Sequence, residues 1–231
     1  MINSQTLDYL IRFLVGDDLP ADAVCYSSNS AEQQRHKLTI VPSAFFRDDV
    51  FLTASSMPRF PLASIRADGD EDEPIPLLYG SDTLECVEGR LVWHADVVAS
   101  SFFLLSRYEE LFVTERDEHG RMPARASVAF RGFFLHRPVV DEYGRRLRAL
   151  LRRVGVEVKE PERRFGRVVL THDVDRMTQY RSVRGMGSAL RRAMRSVSAV
   201  PLTDAVKAMS CVDKDPQFTF EWLFGQDMRL S

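Results

Sequence analysis

The sequence predicts a mixed α/β protein with two domains, residues 1–160 and 161–231. Short strand-like runs alternate with amphipathic helical patterns in the first domain, which is typical of α/β folds. The length of 231 residues suits one or two domains. A charged stretch with two glycines and a proline, GVEVKEPERRFG at residues 155–166, is typical of a linker between domains.

The first 76 residues predict a helix, a short strand and a loop. The opening MINSQTLDYLIRFLVGDDLP lacks a basic leader region and a small-residue cleavage site, which argues against an export signal. Its apolar residues follow the spacing of a helix: Leu7, Leu10, Ile11 and Leu14. Leu38 to Val41 predicts a strand that Pro42 ends, and residues 66–76 predict an acidic loop.

Residues 76–112 predict a strand, a hairpin and a buried helix. Apolar and polar residues alternate from Leu84 to Val87, and Glu88-Gly89-Arg90 supplies the turn. A helix is predicted from Asp96, available as its cap, to Phe112. We expect five aromatic residues to lie in the core: Trp93, Phe102, Phe103, Phe133 and Phe134.

The remainder predicts three more helical regions and one apolar strand. Residues 138–154 form an amphipathic pattern whose arginines we expect on a solvated face: Arg145, Arg146, Arg148, Arg152 and Arg153. Arg167 to Leu170 predicts a strand. Two short helices are expected around Pro201, and another in PQFTFEWLFGQDMRLS.

Composition and charge narrow the class of protein. No apolar run approaches the roughly 20 residues of a membrane span, and a cytoplasmic protein is expected. Three widely spaced cysteines, Cys25, Cys86 and Cys211, are expected to be buried and inert. Residues 1–120 carry a net charge of −12 and residues 121–200 one of +12. That asymmetry indicates either an anionic partner or two halves that neutralise each other.

The stretch VVLTHDVDR places Asp173 and Asp175 one residue apart, directly after an apolar run. Two carboxylates this close repel unless a cation or a proton-transfer role compensates them. Alternate residues of an extended segment point the same way, so both side chains are predicted to converge. One carboxylate would then bind a divalent metal while the other accepts a proton.

This motif, Thr171-His172-Asp173-Val174-Asp175 after a predicted strand, resembles the first motif of the polysaccharide deacetylases (the NodB-type carbohydrate esterases). The resemblance implies a metal-dependent hydrolase that removes N-acetyl groups from a polysaccharide or its precursor, with zinc as the usual metal. It implies Asp173 as the general base and Asp175 as a metal ligand. For His172 we expect only a local hydrogen bond.

The N-terminal part is similar to the α/β domain that precedes the deacetylase barrel in some bacterial members. The similarity lies in PLLYG (76–80), ASSFFLLSRYEEL (99–111), HGRMPARAS (119–127) and HRPVVDEYGRRLRALL (136–151). Residues 1–160 would then be an accessory domain. Residues 161–231 would hold the first strand and helices of an incomplete (β/α) barrel.

The chain departs from the family pattern in its histidines. Family members complete the metal site with two downstream histidines and use further motifs carrying an arginine, an aspartate and a histidine. All five histidines here precede Asp173: His36, His94, His119, His136 and His172. We therefore expect this chain alone to be inactive. It would be a fragment of a longer enzyme, a chain cut for study, or one whose missing half comes from another gene product.

Two other interpretations stay open. Asp173 and Asp175 could instead bind arginines such as Arg176 or Arg181 within a loop. The arginine-rich stretch 145–195 could make the protein a non-catalytic binding module for an anionic partner, with GMGSALRRAMRSV lying on anionic lipid. Nucleic acid is not expected as the partner, because exposed aromatics do not interleave with the arginines and no known motif is present. The sequence leaves the oligomeric state open.

Overall fold

A computed structural model of the chain describes residues 2–66, 73–160, 169–174 and 177–230. These residues form two compact units, one within residues 1–162 and the other within 163–231. Helices and two small sheets make the chain a mixed α/β protein, as the sequence predicted.

The first unit holds six strands and five α-helices among its described residues. Along the chain they are α1 (Ser4–Val15), β1 (Val24–Tyr26), α2 (Ser30–Gln33), β2 (Leu38–Ile40), β3 (Ala63–Ile65), β4 (Ile75–Leu77), β5 (Gly80–Val87), β6 (Arg90–Ala95), α3 (Val97–Leu105), α4 (Val128–Arg131) and α5 (Val139–Arg153). Short 3-10 turns lie at Ala54–Ser56, Tyr108–Leu111 and Ala124–Ala126. Residues 156–160 of the predicted linker have no regular structure, and 161–166 lie outside the described residues.

The larger sheet has the strand order β1-β2-β6-β5, with the first three strands parallel. Leu38 pairs with Leu91 and Ile40 with Trp93, so the parallel strands end at the same edge of the sheet. Strand β5 runs antiparallel to β6 as the predicted hairpin. Its turn is Glu88-Gly89, both at positive φ (51° and 78°), and Arg90 already belongs to β6. Positive φ at both positions is typical of a type I′ hairpin turn.

The core lies between this sheet and helices α1, α3 and α5, which contact one another. Trp93, Tyr143 and Leu147 are completely buried there. Beside it is an aromatic cluster centred on Phe45, whose ring lies 4.7 Å from that of Tyr79 and 5.0 Å from that of Tyr108. The predicted core aromatics Trp93, Phe103 and Phe134 are buried and Phe102 packs against the core.

Three predictions for the first unit were wrong. The helix that begins after Asp96 ends at Leu105, because Arg107 is left-handed (φ 53°) and a 3-10 turn follows. Phe133, predicted in the core, is 87% exposed at another left-handed position (φ 61°). Cys86 is exposed on β5 rather than buried; Cys25 is buried and Cys211 partly so.

Helices α1 and α5 approach closely at Leu14, near the C-terminus of α1. A Cβ atom added to Gly144 would lie 2.6 Å from the Leu14 carbonyl oxygen, so only glycine fits. One turn further along α5, Arg148 Nη1 donates to the same oxygen at 2.6 Å. The last carbonyls of a helix lack partners within the helix, so Arg148 caps α1.

Arg148 was expected on a solvated basic face, and that expectation was wrong. The side chain is buried, and its Nε also donates to Glu160 Oε2 at 3.0 Å. Arg152 donates to the other oxygen of Glu160 at 2.6 Å. Two of the five arginines therefore fix the chain that follows α5 instead of facing an anionic partner.

The second unit is helical in its described residues. It contains α6 (Val183–Ser196), α7 (Val200–Ser210), a 3-10 turn at Val212–Lys214 and α8 (Phe220–Leu230). The helices predicted around Pro201 and near the C-terminus are confirmed. A small core of Tyr180, Ala189, Ala205 and Ala208 joins α6 to α7.

The predicted strand Arg167 to Leu170 is not seen in its described part. Arg167 and Val168 lie outside the described residues, whereas Val169 and Leu170 have no strand structure. Their side chains are 61% and 46% exposed. An apolar run predicts a strand only where a partner strand pairs with it, and no described residue pairs with this one.

Substituting alanine at two mid-helix glycines should have opposite effects. Gly144→Ala should destabilise the first unit by about 1–3 kcal/mol, because its Cβ would overlap the Leu14 carbonyl. Gly187→Ala in α6 meets nothing within 4 Å and should stabilise its helix by about 0.5–1 kcal/mol. Hydrogen exchange resolved by segment measures both. A gain in stability for Gly144→Ala would contradict this packing.

Candidate functional site

The carboxyl ends of the three parallel strands bring together Tyr26, Ser43 and Asp96. Tyr26 is the last residue of β1, Ser43 follows β2, and Asp96 stands between β6 and α3. Functional groups in open α/β sheets commonly gather at this edge, since the backbone is held by the sheet while the loops remain accessible. This edge of the sheet is therefore the candidate site of the first unit.

Asp96 is completely buried and makes three hydrogen bonds through its carboxyl group. Oδ1 accepts from the Ala99 amide at 2.9 Å, which caps α3. Oδ2 accepts from the Ser43 amide at 2.7 Å and from the Tyr26 hydroxyl at 2.9 Å. One carboxyl group thus joins the ends of β1, β2 and β6 to the start of α3.

Burial controls the electrostatics of this cluster. Burial raises the pKa of Asp96, against the lowering effect of its three hydrogen-bond donors. The pKa of Tyr26 is also raised, first by burial and then by the neighbouring carboxyl group. Tyr26 therefore stays a protonated donor to Asp96.

A cleft of about 690 Å³ opens beside Tyr26 and Ser43. Its lining combines serine hydroxyls, one basic and two acidic side chains, and apolar side chains: Ile2, Leu7, Tyr26, Ser27, Ser28, Pro42, Ser43, Phe46, Arg47, Asp48 and Asp49. Arg47 already donates to both oxygens of Asp49, at 3.0 and 2.7 Å. Such a lining can bind a small polar ligand, but it contains no histidine to activate a serine.

The segment SRYEE after α3 has a structural role. Arg107 pairs with Glu110, and Glu109 Oε2 accepts from the Val128 amide at 2.6 Å, at the start of α4. Partial burial raises the pKa of Glu109. The Tyr108 hydroxyl accepts from the Leu52 amide at 2.6 Å. Glu109 and Tyr108 therefore hold neighbouring parts of the fold together.

The deacetylase-like motif lies in the second unit. Asp173, the predicted base, is exposed in a segment without regular structure, and Asp175, the predicted metal ligand, lies outside the described residues. His172 Nε2 lies 2.9 Å from Asp227 Oδ2, whose residue is 55 positions further along the chain, so this contact is not the local hydrogen bond expected of it. Whether Asp173 and Asp175 converge therefore stays a prediction.

Tyr26 and Ser43 were missed by sequence reasoning, and Asp96 was seen only as a helix cap. A signal for Asp96 existed, since it directly follows the alternating strand RLVWHA. No sequence signal pointed to its partners Tyr26 and Ser43, because they lie 70 and 53 residues away from Asp96 along the chain.

Removing the carboxyl group of Asp96 should destabilise the first unit strongly. Asp96→Ala leaves one buried and two partly buried donors without their acceptor and should cost about 3 kcal/mol or more, whereas Tyr26→Phe should cost about 1 kcal/mol. Urea unfolding measures both. Asp17→Ala, at an exposed carboxylate, is the control. Equal stability of Asp96→Ala and the control would contradict the role of Asp96.

Comparison with known proteins bears on the first unit. A family of unknown function (DUF7033) matches residues 2–155. No curated protein and no solved structure matches the chain. No helix within the described residues is long and apolar enough to cross a membrane. Because the family match covers two thirds of the sequence, the chain belongs to this family of unknown function (DUF7033).

Proposed function

We propose that the protein takes part in the metal-dependent removal of N-acetyl groups from a polysaccharide or its precursor. In this proposal the family domain at residues 2–155 is an accessory domain, and the second unit begins an incomplete (β/α) barrel. The motif Thr171-His172-Asp173-Val174-Asp175 supports it through its resemblance to the polysaccharide deacetylases.

The observation that carries the proposal is the state of Asp173. Its carboxylate is exposed, and no side chain in the described ranges forms an ion pair or hydrogen bond with it. The competing interpretation pairs Asp173 with an arginine such as Arg176, which lies outside the described residues, or Arg181. Arg181 instead acts on Asp215, whose pKa it helps to lower together with three backbone amides, against the effect of burial. Among the described residues, no arginine engages Asp173, which supports the proposed role of its carboxylate as a proton acceptor.

The described residues do not fit a complete zinc site. Zinc sites in proteins ordinarily use at least three protein ligands. No group of three or more His, Cys, Asp or Glu side chains that could hold a metal is found among the residues the structure describes. The roles of Asp173 as base and Asp175 as ligand are implied by the resemblance, and no metal-dependent step is assigned to the residues present.

The direct test reads the coding DNA beyond Ser231 and assays the protein that an open frame encodes. We expect a spaced histidine pair in that frame and zinc-dependent release of acetate from an N-acetylated oligosaccharide. Asp173→Asn should reduce the rate about 100-fold or more while leaving bound zinc unchanged, because a general base is lost. Asp175→Asn should lower the zinc content.

Asp213→Asn is the matched control, since it changes another exposed aspartate of the second unit. Its rate and zinc content should equal those of the unmodified protein. A stop codon directly after Ser231, or an Asp173→Asn variant with full activity, would overturn the proposal.

A further inference from the structure

The outer face of α6 carries an exposed apolar stripe. Val183, Leu190 and Met194 are spaced by seven and four residues, which places them on one line of a helix. They are 92%, 50% and 64% exposed, and Val197 just beyond the helix is 93% exposed. The opposite face is occupied, since Gly185 and Ala189 are buried. The stripe is therefore not part of the core of this unit.

A row of arginines runs beside the stripe. Each apolar residue is followed directly by an arginine, giving Val183-Arg184, Leu190-Arg191 and Met194-Arg195. A step of one residue is about 100° around a helix, so the arginines border the stripe along one side. All three are exposed, and no carboxylate within the described ranges forms an ion pair with them. The fourth arginine, Arg192, lies over the ring of Tyr180 instead, 5.9 Å from its centroid.

The surrounding charge has the same sign. Residues 177–212 contain six lysines and arginines against one acidic residue, Asp204, a net charge of +5. Lys207 faces Asp204 at 4.0 Å, so that carboxylate is engaged on α7. The positive charge of the α6 arginines is thus uncompensated among the described residues.

Val197 ends α6 in the left-handed conformation, with φ 49° and ψ 40°. Glycine is the usual residue at such a position, and a β-branched side chain is strained there. In spite of this strain, the aliphatic side chain of Val197 is almost fully exposed to water at the end of the stripe. Stability of the isolated unit therefore does not explain the valine.

We propose that the outer face of α6 binds an anionic lipid surface. The stripe of Val183, Leu190, Met194 and Val197 would enter the boundary between headgroups and acyl chains. Arg184, Arg191 and Arg195 would lie at the level of the anionic headgroups, their aliphatic stems beside the stripe. The juxtaposition of an exposed aliphatic stripe with an unpaired row of cations fits this partner.

Lipid fits these residues better than nucleic acid or an acidic protein. Single-stranded nucleic acid binds through aromatic side chains that stack with bases, whereas this stripe is aliphatic. Duplex contacts need cations but gain nothing from aliphatic side chains. A membrane surface uses both features at once, and it accepts flexible side chains such as Met194 and Leu190 without a matching pocket.

The test is co-sedimentation of the full chain with lipid vesicles. One set contains phosphatidylcholine alone, and in the other roughly a third of the lipid is phosphatidylglycerol. We expect binding to the anionic vesicles only, weakening as salt rises. The triple variant Arg184→Gln, Arg191→Gln, Arg195→Gln should bind roughly 100-fold more weakly, since each arginine near such a surface contributes about fivefold.

A matched variant separates a specific face from net charge alone. Arg35→Gln, Arg66→Gln and Arg145→Gln change three exposed arginines of the first unit and alter the net charge equally. That variant should bind like the unmodified chain. Equal loss in both triple variants, or no binding by the unmodified chain, would overturn the proposal. The proposal would also be overturned if the α6 arginines were needed for binding to nucleic acid or to an acidic protein, and not for binding to vesicles.

Val197→Gly distinguishes loss of contact from loss of folding. Glycine relieves the strain of the left-handed conformation, so α6 should become more stable. Its equilibrium constant for local opening should fall by up to about tenfold. The same change removes an exposed apolar side chain and should weaken vesicle binding several-fold. The Val197→Gly variant could instead be more stable and bind the same vesicles with equal or higher affinity. That result would contradict the assignment of Val197 to the lipid-binding stripe.

Discussion

The first unit depends on one buried carboxyl group. The carboxyl group of Asp96 accepts hydrogen bonds from the amides of Ser43 and Ala99 and from the hydroxyl of Tyr26. The ends of three strands and the start of one helix therefore share a single acceptor. Strands β1 and β2 are only three residues long, which gives them few ladder hydrogen bonds of their own. The position of the loops at this edge, and hence of the adjoining cleft, follows from Asp96.

A second buried polar group, the guanidinium of Arg148, joins helices α1 and α5. Arg148 caps α1 at Leu14 and binds Glu160, while the absence of a side chain at Gly144 allows the two helices to meet. Both anchors place a charged or ionisable group in the interior with several partners. Removing one partner of such a group costs stability, because the polar group left behind in the interior loses its hydrogen bond.

Sequence patterns correctly predicted those elements whose structure depends on interactions between residues close together in the chain. The first helix, the Glu88-Gly89 turn and α5 follow from periodicity and turn chemistry. The early end of α3 does not, because left-handed Arg107 is set by its surroundings and not by its own preference. Arg148 was misplaced for a similar reason, since its carbonyl partner is 134 residues away. The motif around Asp173 gave a hypothesis about chemistry, but Asp175 lies outside the described residues.

Exchange of the Ser43 amide hydrogen tests the role of Asp96 most directly, because this loop amide donates to Asp96 Oδ2. An amide held only by a surface loop would exchange quickly, through small local openings. The account predicts that Ser43 exchanges as slowly as the amides of the central strand β6, since releasing it separates the strand ends. Fast exchange at Ser43, alongside slow exchange in β6, would contradict the claim that one carboxyl group holds this edge together.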